Sequence, residues 1–338
     1  MEPLIIDQFG AFVRKKSERI RVEKQKDLLA EIPLLDLEQV LIASGGVSLS
    51  SDVIRECAVR GIPITFLSAR GTPYATVISA ELTGTVSTRR EQLLAYYDER
   101  GLTLAKAFVR GKLANQVNLL RYVAKYRRAN DPTAYEQLRL GWLEIQDADA
   151  ELERLRSDEL DGVRSALMGL EGRAAQRYWQ ALKVVIPAEA GWPGREHQGA
   201  TDLVNSLLNY GYGMLYSQVE RAIILAGLDP YGGFLHVDRP GKPSLTLDLI
   251  EEFRQMVVDR TVLALLGRGV DLKVDEAGRL DDATRKLLAE KLFERLDSEE
   301  PYEGKRHKLR TIIQSQARHL ATFVRRERPG YRAWVGRW

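Results

Sequence analysis

Short apolar runs, broken at close intervals, fill about the first 80 residues. "PLIID", "AFVRK", "RIRVEK", "DLLAEIP", "EQVLIAS", "IPITFLS" and "YATVISA" are each bounded by Gly, Pro, Ser or charged residues. In "RIRVEK" the alternation is strict, with Ile20 and Val22 on one face and Arg19, Arg21 and Glu23 on the other, the period of a half-buried strand. The region therefore predicts a small all-β module. One segment has another period: "SLSSDVIRECAVRG" offers Ser50 or Ser51 as an N-cap and Gly61 as a stop, predicting a single helix among the strands.

After "LTGTVSTRREQ" the texture changes, and from Glu91 onward Leu, Ala, Glu, Arg and Gln recur with helical spacing. A domain boundary is expected between about Glu81 and Arg90. Breaks in the helical part fall at "RANDPT", "PAEAGWPGREHQGAT", "GLDPYGGFLHVDRPGKP" and "RPGYRAW". The second and third flank one long helix, about Asp202 to Gly227, and loops so placed are natural positions for a site.

In "SALMGLEGRAAQRYWQAL" the apolar stripe contains Leu167, Leu170, Ala174, Tyr178 and Leu182, and Glu171 falls near its centre. A carboxylate on a buried face must be paired, protonated or bound to metal; a Glu–Arg ion pair is the plain structural alternative. Gly169 and Gly172 flank it at a cost in helix propensity, as either close packing or an approaching substrate would require.

"HVDRPGKPSLTLDLIEEF" places His236 in a Pro/Gly loop, 12 and 15 positions before Asp248 and Glu251. Ser244 or Thr246 caps the expected helix, whose stripe is Leu249, Ile250, Phe253, Met256 and Val257. Asp248, Glu251, Glu252, Gln255 and Asp259 lie off that stripe, and first-turn acids of this kind are ordinarily solvated. Asp248 and Glu251, three apart, are neighbours on one surface, and a histidine with carboxylates suits magnesium or manganese.

Composition narrows the classes. The chain has 338 residues, 44% hydrophobic and 29% charged, the balance of a soluble globular protein of two domains or one with an appendage. The net charge is only +3, but Pro301–Trp338 carries ten Lys or Arg against two acids, while Gln146–Asp161 carries seven acids against two Arg. That asymmetry fits a local anionic partner or a solubilising tail. The single cysteine, Cys57, excludes an intramolecular disulfide and a cysteine-rich zinc site and points to a reducing compartment. With no leader pattern and no run of about 18 apolar residues, a cytoplasmic, non-membrane protein is expected. The signals of P-loop nucleotide hydrolysis, serine hydrolysis and zinc proteolysis are missing from the sequence. His197, in a charged loop, is open to a substrate phosphate or to solvent; His307 and His319 belong to an expected basic C-terminal helix as surface residues.

Three ordered segments, "LMGLEGRAAQRYW", "TDLVNSLLNYGYGMLYSQVERAIILAGLDPYGGFLH" and "PSLTLDLIEEFRQMVVDR", with "GGVSLSSDVIRECAVRGIPITFLSARG" and "KLANQ", resemble the CRISPR-associated adaptation nuclease and integrase, the Cas-one family. The resemblance spans nearly the whole chain. It implies an α+β protein: a small N-terminal β-sandwich-like domain for dimer and partner contacts (residues 1–85), then a larger all-α catalytic, DNA-binding domain (residues 86–338). It also implies a prokaryotic homodimer that works with the small Cas-two protein on double-stranded DNA, protospacer and CRISPR repeat, with Mg2+ or Mn2+. The family's metal ligands map to Glu171, His236 and Glu251; Asp248 matches a further acidic position and is expected to be a ligand or to support one.

The implied chemistry is transesterification, in which a 3′-hydroxyl attacks DNA, or hydrolysis with water in its place. A basic track is expected from Arg89, Arg90, Lys112, Arg173, Arg195, Lys242, Arg254 and the Lys305–Arg328 helix, with Asn205, Tyr210 and Tyr212 lining the site. A structure-specific DNA repair nuclease and a catalytically silent DNA-binding scaffold are the alternatives.

Overall fold

The alternating runs near the N-terminus form strands in a computed structural model that describes residues 2–77, 79, 86–157, 159–196 and 199–337. In order they are β1 (Glu2–Ile6), β2 (Phe12–Lys16), β3 (Arg19–Lys24), β4 (Asp27–Pro33), β5 (Leu37–Ile42), β6 (Ser48–Leu49), β7 (Ile64–Leu67) and β8 (Pro73–Val77), with α1 (Ser51–Val59) between β6 and β7. One four-stranded sheet has the order β1-β5-β7-β8, the other β4-β3-β2-β6. Strands β5 and β7 pair in parallel because α1 lies on the connection that returns the chain; a hairpin turn cannot do this. Ser50 caps α1 by accepting the Val53 N–H, and Gly61 follows the helix at a φ of +66°.

Ile20 and Val22 point into one core with Val13, Val40, Ile64 and the α1 residues Val53 and Cys57, as their alternation requires. Burial pushes the Cys57 thiol up to about 11, so it packs as a small hydrophobe and does not act as a nucleophile. The two sheets over this core give the expected β-sandwich-like module.

The chain divides into the units Met1–Thr83 and Gly84–Trp338. The expected boundary after residue 85 falls beside residues outside the described set. The second unit contains α2 (Val86–Ala95), α3 (Glu99–Ala124), α4 (Arg127–Asn130), α5 (Pro132–Arg154), α6 (Leu160–Leu182) and α7 (Leu203–Leu225). It continues with α8 (Ser244–Leu249), α9 (Arg260–Gly267), α10 (Asp282–Asp297), β9 (Glu299–Tyr302), β10 (Lys305–Lys308) and α11 (Leu309–Val324). Aspartates cap α3, α5, α7 and α10, and Pro132 opens α5, where its missing N–H costs nothing.

Two expectations change here. The second unit is not wholly helical: β9 and β10 form a hairpin, so the basic segment is helical only from Leu309 and His307 lies on a strand. Glu303 and Gly304 both take positive φ, the conformation of a tight hairpin turn, and Pro301 cannot sit inside a helix. The helix expected from Ser244 onward is broken into α8, a 3-10 turn at Ile250–Glu252, a π turn at Gln255–Asp259 and α9. Among the described residues no helix is long and apolar enough to cross a membrane.

Candidate active site

A cavity of about 820 Å³ opens in the helical unit where its longest helices meet the broken helix. Helix α3 contributes Lys112 and Gln116, α6 contributes Glu171, α7 contributes Tyr212, the loop after α7 contributes His236, and the broken helix contributes Glu251 and Arg254. On α6, Leu167, Leu170, Ala174 and Tyr178 are buried as their spacing requires, and Glu171 faces the cavity with its side chain about one-fifth exposed. Nothing lies within 4 Å of a Cβ built on Gly172, which lines the cavity beside it.

The loop carrying His236 is folded against the start of α8. A Cβ on Gly233 would stand 2.7 Å from the Ser244 carbonyl carbon, so only glycine permits this approach, and Gly233 N–H donates to Ser244 Oγ at 3.0 Å. The Ser244 hydroxyl thus ties down the loop and does not cap the helix, as the sequence had suggested. Asp248, fully buried, accepts the N–H groups of Phe234 (2.6 Å), Leu235 (3.0 Å) and His236 (2.9 Å), and its Oδ1 lies 2.7 Å from His236 Nδ1. This carboxylate builds the turn and orients the imidazole through Nδ1, leaving Nε2 as the nitrogen available to a ligand. Burial draws the His236 pKa down, but the Asp248 hydrogen bond and charge outweigh it and hold the ring above its ordinary value.

Glu171 and Glu251 share one ammonium. Lys112 Nζ bonds Glu171 Oε1 and lies 2.8 Å from Glu251 Oε2. The buried Oε2 is thus met by the Lys112 ammonium. Arg254 Nε donates to the other oxygen, Oε1, at 2.9 Å. Burial alone would raise the Glu251 carboxyl, but Arg254, Lys112 and His236 together hold it at about 2. The same carboxylates outweigh burial at Lys112 and keep its ammonium above the ordinary range. Two carboxylates and one oriented imidazole are a donor set suited to a hard divalent cation. As the side chains stand, Lys112 lies between the acids, and no three His, Cys, Asp or Glu residues gather into a metal-ready group among the described residues.

A second buried acid supports the cavity wall. Asp259, on the π turn, accepts Tyr178 Oη at 2.6 Å and the Tyr212 hydroxyl. The Arg254 guanidinium lies 4.7 Å from the Tyr212 ring centroid and that of Arg195 5.4 Å, so the ring is in contact with two cations. Behind the site, Glu252 accepts Gln316 Nε2 (2.7 Å), Trp334 N–H (2.8 Å) and the Tyr331 hydroxyl, and burial pushes its carboxyl up to about 7 against these bonds. Asn115, one turn from Lys112, donates to the carbonyls of Glu252 (2.8 Å) and Trp334 (3.0 Å), while Phe253 stacks on Trp334 at 5.3 Å.

The structure therefore brings Glu171, His236, Asp248 and Glu251 to one place, with Arg195, Tyr212, Lys242 and Arg254 on the same cavity. Other expectations are corrected. Asn205 is fully buried and spends its amide on Gly194, Asp202, Arg195 and the Glu196 N–H, so it fastens a loop and cannot reach DNA. Tyr210 is buried in α7 and does not line the cavity. Arg173, paired with Glu151, and Arg90, on α2, are exposed and lie outside the cavity, as a basic track beyond it allows.

Glu171 pairs with a lysine where an arginine was the expected alternative, and Asp248, Glu251, Glu252 and Asp259, which lie off the apolar stripe as solvated acids ordinarily do, are all buried. His319 is half-buried, 2.9 Å from the Tyr302 hydroxyl, and is not a free surface residue. His197 lies outside the described residues. Sequence reasoning missed Gln116, Gln255, Trp179 and Trp192 as lining residues and Asn115 as a support. A signal existed in "KLANQ": Lys112, Asn115 and Gln116 are polar at helical spacing, three and four apart, and so share one face of α3.

The family model described as CRISPR associated protein Cas1 matches residues 4–294. The chain belongs to the Cas1 family. A CRISPR-associated endonuclease Cas1 of Archaeoglobus fulgidus is 40% identical over 347 residues, covering 99% of each chain. The fold is also that of a casposase bound to integration product (TM-score 0.84, 23% identity, 98% of this chain and 93% of that one). A chain of a Cas6–RT–Cas1–Cas2 complex is similar over 98% of this chain and 36% of its own length, with TM-score 0.79 and 20% identity.

Proposed function

We propose that this Cas1-family chain is a metal-dependent DNA endonuclease and integrase of CRISPR adaptation, which inserts spacer DNA into a repeat array by transesterification. The observation that carries the reading is the convergence of Glu171, Glu251 and the Asp248-held His236 on one cavity, with a single ammonium, Lys112, touching both carboxylates. Glu171, Glu251 and His236 Nε2 would hold the cation; Asp248 spends its oxygens on the loop and the ring, so its role is positioning. Mg2+ or Mn2+ bound there would neutralise charge developing on a phosphate, and the imidazole donor favours manganese.

In the reaction the spacer's 3′-oxygen bonds to phosphorus and the bond from phosphorus to the target strand's 3′-oxygen breaks. The proton lost by the attacking hydroxyl is matched by one gained by the leaving oxygen. With water attacking, the same site cleaves DNA. The residues of the chain supply no covalent nucleophile: they orient the phosphate and balance its charge.

A second groove of about 1300 Å³, lined by Lys305, Arg306, Arg328, Arg332 and Arg337 around Tyr302, supports a double-stranded DNA substrate. Family membership supports a homodimer acting with the small Cas2 protein.

Strand transfer of a short duplex into a supercoiled repeat-bearing plasmid, assayed with Mn2+ and with and without the small partner, tests the reading. It is expected to vanish in both Glu171→Ala and His236→Ala. Cleavage of branched DNA without strand transfer under any condition would favour a repair nuclease. DNA binding without metal-dependent chemistry would favour a silent scaffold.

A further inference from the structure

We infer that Lys112 is a built-in competitor of the divalent cation: its ammonium and the metal are alternative occupants of the space between Glu171 and Glu251, so Lys112 sets how tightly the site holds metal. The inference rests on the metal-site reading above. Among the described residues Lys112 is the one side chain that touches both acids, which come from separate elements, and its own side chain is largely buried. Two carboxylates facing one small volume need positive charge between them. A compact ammonium meets that need and so does a divalent ion, but both together would place like charges within a few ångströms.

Arg254 cannot take this part. Its Nε is committed to Glu251 Oε1 and its guanidinium lies against Tyr212, which leaves Oε2 directed at Lys112. His236 does not compete, because its ring is held by Asp248.

The structure also offers the displaced ammonium a place to go. Gln116 lies one turn along α3 from Lys112, on the same helix face, and lines the same cavity. Its Oε1 is buried and has no hydrogen-bond partner, an expensive condition that a lysine swung away from the acids would relieve. Lys112 thus has two positions: between the acids when metal is absent, and on Gln116 when metal is bound.

Mn2+ binding to the full-length protein, followed by electron paramagnetic resonance of the free ion, tests this. Lys112→Met is expected to bind Mn2+ about tenfold or more tightly than wild type, because the competing charge is gone while the stem is kept. Gln116→Leu, which removes the alternative acceptor, is expected to bind it several-fold more weakly, by about 3-fold or more. Unchanged or weaker binding by Lys112→Met overturns the inference. If that variant unfolds without metal, recovery of its thermal transition by Mn2+ replaces the titration, and failure to recover overturns the inference equally. Glu171→Gln separates the two levels: loss of Mn2+ binding there upholds the metal site however Lys112→Met behaves, and wild-type binding there overturns both.

Discussion

Asp248 and His236 divide one task, and the division is measurable. Asp248 receives three backbone N–H groups as well as the imidazole, whereas His236 contributes its ring to the cavity. Asp248→Asn turns an amide NH2 toward buried donors and is expected to lower unfolding stability by about 1–3 kcal/mol. His236→Ala leaves the three backbone bonds in place and is expected to cost less, although both variants lose strand transfer. Denaturant melts beside the transfer assay check this, and equal stability losses would contradict it.

Asp259 allows a second test at the same scale. Burial raises its carboxyl to about 6 against the hydrogen bonds from Tyr178 and Tyr212, so the folded state holds this proton more tightly than the unfolded chain does. Its contribution to stability is therefore full below the unfolded value near 3.8 and is lost as pH rises through about 6. The stability of wild type minus that of Asp259→Asn is expected to fall between about pH 4 and about pH 6 and to level off above. A flat or rising difference would contradict the burial account.

The broken helix from Ser244 to Gly267 is the element that decides the site. Its 3-10 and π turns abandon regular bonding beside Glu251, and Asn115 and the C-terminal segment hold the break from behind. Asn115→Ala leaves the Glu252 and Trp334 carbonyls and the Gly336 N–H unpaired, and is expected to cost about 1–3 kcal/mol in a chemical melt. A loss within a few tenths of a kcal/mol would mean that the break needs no support from α3.

This element was only half legible in the sequence. Its apolar stripe was readable, since that pattern is local, whereas the expected Ser244 or Thr246 cap was not realised. The burial of Asp248, Glu252 and Asp259 was not, because their partners, His236, Gln316, Tyr331, Tyr178 and Tyr212, come from 12 to 81 positions away. Periodicity separates apolar from polar positions but cannot tell solvent from a polar partner across the fold. The β9–β10 hairpin was lost for a similar reason: a run rich in Lys and Glu carries weak periodicity, and only the Pro301 and Gly304 punctuation marked it.

At the scale of the molecule, the strand-rich first unit and helical second unit followed from periods of two and 3.6, and the ordered motifs reached Glu171, His236 and Glu251. What no motif carried was the cation between the acids. Lys112 was readable as one more basic residue; its place between Glu171 and Glu251 depends on how α3 packs beside α6 and the broken helix. The groove lined by Lys305 and Arg332 has a testable consequence for DNA binding. In a double Lys305→Glu, Arg332→Glu variant the slope of log affinity against log salt is expected to become shallower by about 2, at roughly 0.9 per lost phosphate contact. An unchanged slope would place the DNA elsewhere.

On the reading proposed above, Glu171, Glu251 and His236 form a single divalent-cation site in which Lys112 yields to the ion. The most direct measurement is an anomalous-difference map from crystals of the full chain soaked in Mn2+. One strong peak is expected, bonded to carboxylate oxygens of Glu171 and Glu251 and to His236 Nε2, with the Lys112 ammonium withdrawn toward Gln116. A map with Lys112 still bridging the two acids and no peak among the three ligands would contradict it.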